Sequence, residues 1–283
     1  MNAPANPRRP RCRRLIALVA SAALGAGPAL AADSDLHLDP HQALYTLTLD
    51  SAKSGSGVVG ATGAMFYKWG ETCDGWTLEQ RFRLRVAYAE EEGTDLSSTL
   101  VTFESKDGLT YRFNERRLRD GELDQEIRGE AHLDGPGKGG TAEFVKPETA
   151  SFKLKPGVIF PTAHTLALIA AAKAQQQFVS RFVFDGASVE DAGQISAVIG
   201  PPLKPPGDKA AKPLDDPLLQ HMSWNMRLAF FPSDPTADQS QPDYELSMRL
   251  LDNGVSQDMK LDYTDYVIRA ALTEIEKLPR PSC

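Results

Sequence analysis

Trp76-Thr-Leu-Glu-Gln-Arg-Phe-Arg-Leu-Arg-Val-Ala-Tyr88 decides the fold. Trp76, Leu78, Phe82, Leu84, Val86 and Tyr88 fall on one face of an extended chain, with Gln80 the single polar break. Thr77, Glu79, Arg81, Arg83 and Arg85 fall on the other. Successive side chains of a strand point to opposite faces, so a period of two held this long predicts a long, half-buried antiparallel strand. The stretch just before it, Gly63-Ala-Met-Phe-Tyr-Lys-Trp-Gly70, is placed to pair back across a turn at Cys73-Asp-Gly75.

The same pattern extends outward in both directions. Upstream, Gln42–Asp50 alternates, and Val58–Trp69 is a strand whose Gly60 and Gly63 predict a bend or bulge. Downstream, Leu96–Ser105, Leu109–Leu118 and Glu122–Leu133 are separated by Asp107-Gly108 and Asp120-Gly121, which are strong hairpin turns. Tyr111 and Phe113 share one face of the second of these strands. Glu122–Leu133 is polar enough to be expected at an edge or exposed. Thr141–Lys146 and Ser151–Leu154 are short strands. One interruption follows: Pro161–Ala174 is rich in strong helix formers and apolar almost all round, with Thr162 placed to cap it. Strands then resume over Gln177–Phe184, Val189–Ile199 and His221–Phe231. Tyr244, Leu246, Met248 and Leu250 mark another, and Val255–Tyr263 pairs back across Asp252-Asn-Gly254. Tyr266–Leu278 reads equally as helix or strand. The whole is an all-β meander: a long antiparallel sheet, curved, with one apolar helix near residues 162–175 against or inside it.

The chain has 283 residues, a formal charge of −7 and three cysteines. Arg8, Arg9, Arg11, Arg13 and Arg14 precede an apolar, Ala-rich run, and Ala29-Leu-Ala31 is a small-x-small cleavage site. Residues 1–31 are therefore expected to be a cleaved signal peptide, and export follows. Removing five arginines and no acid takes the charge from −7 to −12, which disfavours nucleic acid and anionic lipid surfaces as partners. No second apolar run is long enough to span a membrane. Residues 32–283 are expected to form one domain. Pro201–Pro217, with six prolines, is expected to be an exposed loop inserted within it, because the chain beyond is too short to build its own core.

Chemistry-bearing motifs are absent: no nucleophile elbow, metal-binding His-Glu-x-x-His, paired-thiol motif or phosphate loop occurs, so no catalytic, cofactor or metal residues are assigned. His37 and His41 are spaced for one helix face, but Pro40 lies between them in a polar lead-in. His164, in the apolar helix, is expected to be a hydrogen-bonded structural residue. Arg81, Arg83 and Arg85 make a basic stripe that suits an anionic partner, or cross-strand pairing with acids on an exposed face. The apolar face, with Trp76, Phe82, Leu84, Trp224, Met226 and Phe230, either fills the interior or lines a lipid cavity. Once Cys12 leaves with the signal, Cys73 and Cys283 remain. In an oxidising compartment they make one disulfide, or else stay free or link two chains.

His41-Gln-Ala-Leu-Tyr-Thr-Leu, Ser56-Gly-Val-Val-Gly-Ala-Thr-Gly63, Cys73-Asp-Gly-Trp-Thr-Leu-Glu-Gln-Arg-Phe82 and the terminal Cys283 together resemble the EipB family, periplasmic cell-envelope integrity proteins of alphaproteobacteria. The resemblance runs from His41 to Cys283. It implies a single domain, a sheet wound into a spiral or partly open barrel with a helix, and a disulfide between Cys73 and Cys283. It also implies a role in keeping the envelope intact under stress, with no established catalytic activity. The expected partner is a periplasmic protein or a lipid or other envelope component, bound through the face that carries Trp76, Phe82, Leu84, Arg81, Arg83 and Trp224. The alternative is an envelope-directed hydrolase with an unrecognised site, which clustering of His132, His164 or His221 with a carboxylate in one cleft would support.

Overall fold

A computed structural model describes residues 36–189, 192–205, 214–232 and 241–283; the expected signal peptide lies outside them. Among these residues are fourteen strands and one α-helix. The first eight strands are β1 (His41–Ala52), β2 (Val58–Glu71), β3 (Gly75–Tyr88), β4 (Thr94–Ser105), β5 (Thr110–Arg119), β6 (Glu122–Leu133), β7 (Gly140–Lys146) and β8 (Ala150–Leu154). Helix α1 (Pro161–Lys173) follows. Then come β9 (Phe178–Val183), β10 (Gly193–Leu203), β11 (Ser223–Phe231), β12 (Tyr244–Leu251), β13 (Ser256–Tyr263) and β14 (Tyr266–Lys277).

All fourteen join one antiparallel sheet in the order β8-β7-β6-β5-β4-β3-β2-β1-β14-β13-β12-β11-β10-β9. Every neighbour is also a neighbour in sequence except β1 and β14, whose pairing brings the two ends of the chain together in the middle of the sheet. The sheet is not closed; β8 and β9 are its edges. A single parallel bridge crosses near that gap. The Ile159 amide donates to Phe182 O, and the Phe184 amide donates to Ile159 O, each at 3.0 Å. The bend expected at Gly60 is a register shift between Val58 and Gly60.

Tertiary pairing overrides several local expectations. Tyr266–Lys277 is a strand throughout, because β1 and β13 flank it and supply its ladder partners. β6 is no edge: β5 and β7 flank it, and Ile127, Ala131 and Leu133 are buried on its inner face. The proline-rich stretch begins inside β10, which continues to Leu203 and pairs Pro202 with Trp224 beyond an irregularity. β9 has already ended there, its last paired residue Phe178 lying opposite Val198. Proline therefore sits where β10 has lost its second neighbour and no amide is required. The polar lead-in is also anchored: Leu38 is buried and the Asp39 amide donates to Asn253 O at 2.8 Å.

The interior holds three principal groups of side chains. Aromatic residues of β5–β8 and the segments flanking α1 form one. β1–β3 with β13 and β14 form the second. Helix α1 with the inner faces of β9–β12 forms the third, so the helix lies against the inside of the sheet. Its N-terminus is not capped by Thr162. Glu104 of β4, 3% exposed, reaches across to accept from the Thr162 and Ala163 amides at 2.7 and 2.8 Å, taking up two of the donors a helix start leaves unpaired.

Candidate functional site

Alternation sends Met65 of β2, Gln80 of β3, Leu228 and Phe230 of β11, and Leu246 and Met248 of β12 to the concave side of the sheet. There they enclose a cavity of about 350 Å³. Helix α1 forms one wall through Pro161, His164, Thr165 and Leu168, which share one face by their three- and four-residue spacing. The lining is mostly apolar. Tyr45 and Tyr67 also face it, and burial raises both phenols well above their ordinary range, so they are neutral. The Tyr45 hydroxyl is already committed, donating to Ser256 O at 2.9 Å.

Two further clefts, of about 500 and 410 Å³, adjoin this cavity around Tyr244. They are charged, and the exposed Arg119, Asp124 and Asp243 line them toward solvent. Arg117 faces both. Its guanidinium donates from Nε and an Nη to the two carboxylate oxygens of Glu115, both at 2.8 Å, a bidentate pair. The same residue donates to Ala187 O at 3.4 Å, tying β5 to the loop after β9. Asp185, in that loop, is exposed to solvent and lines both the cavity and the second cleft. Lost hydration among its neighbours raises its carboxyl, against the opposing pull of the Ala187 amide and of Arg117. The space is thus amphipathic: an apolar floor against the helix, and a charged approach past Arg117.

Two histidines border the floor. His41 opens β1, and its Nδ1 lies 2.7 Å from Asp39 O. A carbonyl only accepts, so Nδ1 carries the proton and the neutral ring leaves Nε2 as an acceptor. Burial lowers the pKa of His41. Burial, and then the nearby Arg181, push His164 down to about 4. The expectation of a hydrogen-bonded structural histidine at 164 is corrected: its Nε2 is buried with no partner.

The residues expected to form one binding face are divided by the structure. Phe82 lines the cleft beside the cavity. Leu84 is buried among β1–β3 side chains, and Trp224 belongs to the core around the helix. Trp76 packs on Trp69 at 5.8 Å between ring centres, with the Lys106 ammonium over its ring. Arg81 and Arg83 are on the outer face, where Arg81 pairs with Glu79 and lies over Phe66, while Arg85 faces Asp95. Within the basic stripe Arg85 pairs across to β4, whereas Arg81 pairs within its own strand. Cys73 and Cys283 are joined in a disulfide that fastens the β2–β3 turn to the tail after β14. Arg280 adds a second fastening, donating to Asp39 at 2.9 Å.

The histidines that a hydrolase would need do not gather. His132 is on the outer face of β6 near Glu130, and His164 is in the cavity wall. His221 pairs with Asp252 at 2.7 Å in the turns before β11 and after β12, away from the cavity. Among the described residues, no three His, Cys, Asp or Glu side chains are placed to hold a metal. No described helix is long and apolar enough to cross a membrane.

Arg117, Glu115, Asp185 and Tyr244 were not singled out from sequence, although one signal was present. Continuing the Tyr111 and Phe113 face of β5 by twos reaches Glu115 and Arg117, two charges on a core-facing side. Gln80, the polar break in β3, lines the same space.

An open antiparallel spiral around an internal space, with a helix packed inside, is a β-barrel-like architecture. The crystal structure of a β-barrel-like protein of a domain of unknown function from Brucella abortus superposes with a TM-score of 0.78. It is 31% identical and covers 86% of this chain and 100% of that one. Residues 32–279 match the EipB-like family, and the chain belongs to it. It is 34% identical over 256 residues, 89% of each chain, to the cell envelope integrity protein EipB of Brucella abortus (strain 2308). The family supports a role in envelope integrity.

Proposed function

We propose that this chain is a non-enzymatic periplasmic protein, exported by its N-terminal signal peptide. In this reading it keeps the cell envelope intact under stress by holding a lipid-like molecule of the envelope in its interior cavity. One observation carries the reading: an apolar space of about 350 Å³, walled by strands and helix and approached through charged clefts. Such a space matches a ligand with an apolar body and a polar end. A chain-like small molecule fits inside it, and a folded protein does not. The separation of His132, His164 and His221 into three environments supports binding over hydrolysis.

The test uses the mature chain purified from a periplasmic extract. Native mass spectrometry and solvent extraction are expected to find an apolar molecule at close to one per chain. The neutral probe N-phenyl-1-naphthylamine is expected to fluoresce on binding the emptied protein. Leu246→Trp, which fills the cavity from a half-buried position on β12, is expected to lower probe affinity at least about tenfold, as steric exclusion from a preformed pocket requires. The folded protein carrying nothing and binding no probe would overturn the reading.

A further inference from the structure

Four buried polar side-chain atoms of the described residues have no hydrogen-bond partner: Glu71 Oε2, His164 Nε2, Gln220 Nε2 and Trp224 Nε1. Only His164 belongs to the cavity wall. It sits on the first turn of α1, 5% exposed, beside apolar side chains such as Leu168. Leaving such a group unpaired costs on the order of 1–3 kcal/mol, and a native fold supplies a partner for nearly every one. Here the protein itself supplies none.

We propose that the molecule held in the cavity carries an uncharged hydroxyl on its apolar body, and that this hydroxyl pairs with His164. The proposal rests on the cavity being a lipid site and adds the chemistry of the ligand's buried part. The wall favours an uncharged group: His41 and His164 are both neutral rings in a largely apolar lining, where a charge loses its hydration, and Arg181, the cation that acts on His164, is exposed to solvent. A hydroxyl fits either tautomer of His164. It accepts if Nε2 carries the proton and donates if Nε2 is bare. A plain hydrocarbon chain leaves the nitrogen unpaired in the bound state as well. The charged groups nearest the space, Arg117, Glu115 and Asp185, are around Tyr244 and suit the polar end of the same ligand. The cavity would thus select for polarity at two separated points.

Competition against N-phenyl-1-naphthylamine decides the matter, with hexadecanoic acid, 12-hydroxyhexadecanoic acid and 16-hydroxyhexadecanoic acid as competitors for the wild-type protein, His164→Phe and His164→Gln. At least one hydroxylated chain is expected to displace the probe from wild type at about tenfold lower concentration than the plain chain, the factor that one buried hydrogen bond supplies. His164→Phe is expected to erase that difference while still binding the plain chain, and His164→Gln to keep part of it. Equal competition by all three chains overturns the hydroxyl assignment and leaves the lipid site standing. A preference that survives in His164→Phe overturns the role of His164. Failure of the probe itself to bind wild type overturns both readings. If either variant does not fold, the wild-type competition alone still tests the hydroxyl.

Discussion

Two parts of the interior are built from the same alternating strands and end differently. Between β5 and β8 the rings of β5 and β7 share the inward positions with Ile127, Ala131 and Leu133 of β6, and the space is full. Phe113 and Phe144 meet edge to face at 5.3 Å, Tyr111 stacks on Phe160 at 5.2 Å, and Phe184 closes against both Phe113 and Phe160. Two glycines permit that density. A Cβ at Gly129 or Gly186 would lie 2.7 or 2.5 Å from the Phe113 ring, so any larger residue would displace it. On the side bounded by β1–β3 and β11–β13 Met and Leu share the inward positions with Tyr, Phe and Trp. The ring contacts there run between neighbouring strands, Phe230 on Tyr244 at 4.2 Å, Tyr244 on Tyr263 at 6.3 Å and Trp69 on Trp76 at 5.8 Å, and a cavity is left. The contrast teaches that side-chain alternation sets which way residues face, while ring packing and the distance between walls decide whether the middle is filled.

The largest expected effect tests that contrast directly. Phe144→Ala removes a ring that is 1% exposed and packed on three others, so it should cost about 4 kcal/mol in urea unfolding. Phe230→Ala, at a position that already borders open space, should cost less than half as much, since fewer of its contacts are made in the folded state. Equal losses would mean that the two regions are packed alike and that the cavity is no void.

Next in size is the disulfide. Its ends are separated by 210 residues, and the chain-entropy argument assigns about 5 kcal/mol to a loop of that length as an upper figure. The β1–β14 ladder and the Arg280–Asp39 pair already hold the tail, so Cys283→Ser should cost about 3 kcal/mol. Hydrogen exchange should sharpen the comparison: protection should fall in β1, β2 and β14 before it falls in β5–β8. A uniform loss across the sheet would show that the aromatic side depends on the clasp as much as the cavity side does.

The strands of both regions were legible because period-two patterns and Asp-Gly or Asn-Gly turns are local signals. Trp76–Tyr88 is contained in β3, and the Asp120-Gly121 turn adopts left-handed backbone at both residues. What was not legible depends on partners distant in sequence. Tyr266–Lys277 reads equally as helix or strand and is a strand because β1 and β13 lie beside it. Leu38 looked like part of a polar lead-in because one apolar residue makes no period, yet it is buried beside Trp69 and Gly254. The cavity was legible only as a choice between a filled and an open interior. Phe82 and Phe230 do line open space, whereas Leu84, Trp224 and Met226 fill core. Nothing in their alternation distinguishes them; the helix wall and the spacing of opposed strands do. The charged approach was readable in principle, since Glu115 and Arg117 break the apolar face of β5, but a charge on an inward face signals a site only once an opposing wall is known.

The smallest effect concerns the joint between the two regions. Glu104 fixes the start of the helix that walls the cavity, and the residue just before that helix, Phe160, belongs to the filled aromatic group. Burial raises the Glu104 carboxyl from 4.5 to about 7, although the Thr162 and Ala163 amides pull it down. Because the folded value is the higher, between about pH 4.5 and 7 the native state holds a proton that the unfolded chain releases, so stability falls as pH rises through that window. Below 4.5 both states are protonated and the full contribution is present; above about 7 it is gone. Wild type should therefore lose on the order of 2 kcal/mol relative to Glu104→Gln between pH 4.5 and 7.5, measured by urea unfolding at each pH. Parallel profiles for the two proteins would show that the carboxylate is compensated in the fold. If the loss occurs, probe binding in the cavity should hold over the same range, because the ionised carboxylate accepts from the Thr162 and Ala163 amides more strongly and the cost falls on the buried charge itself.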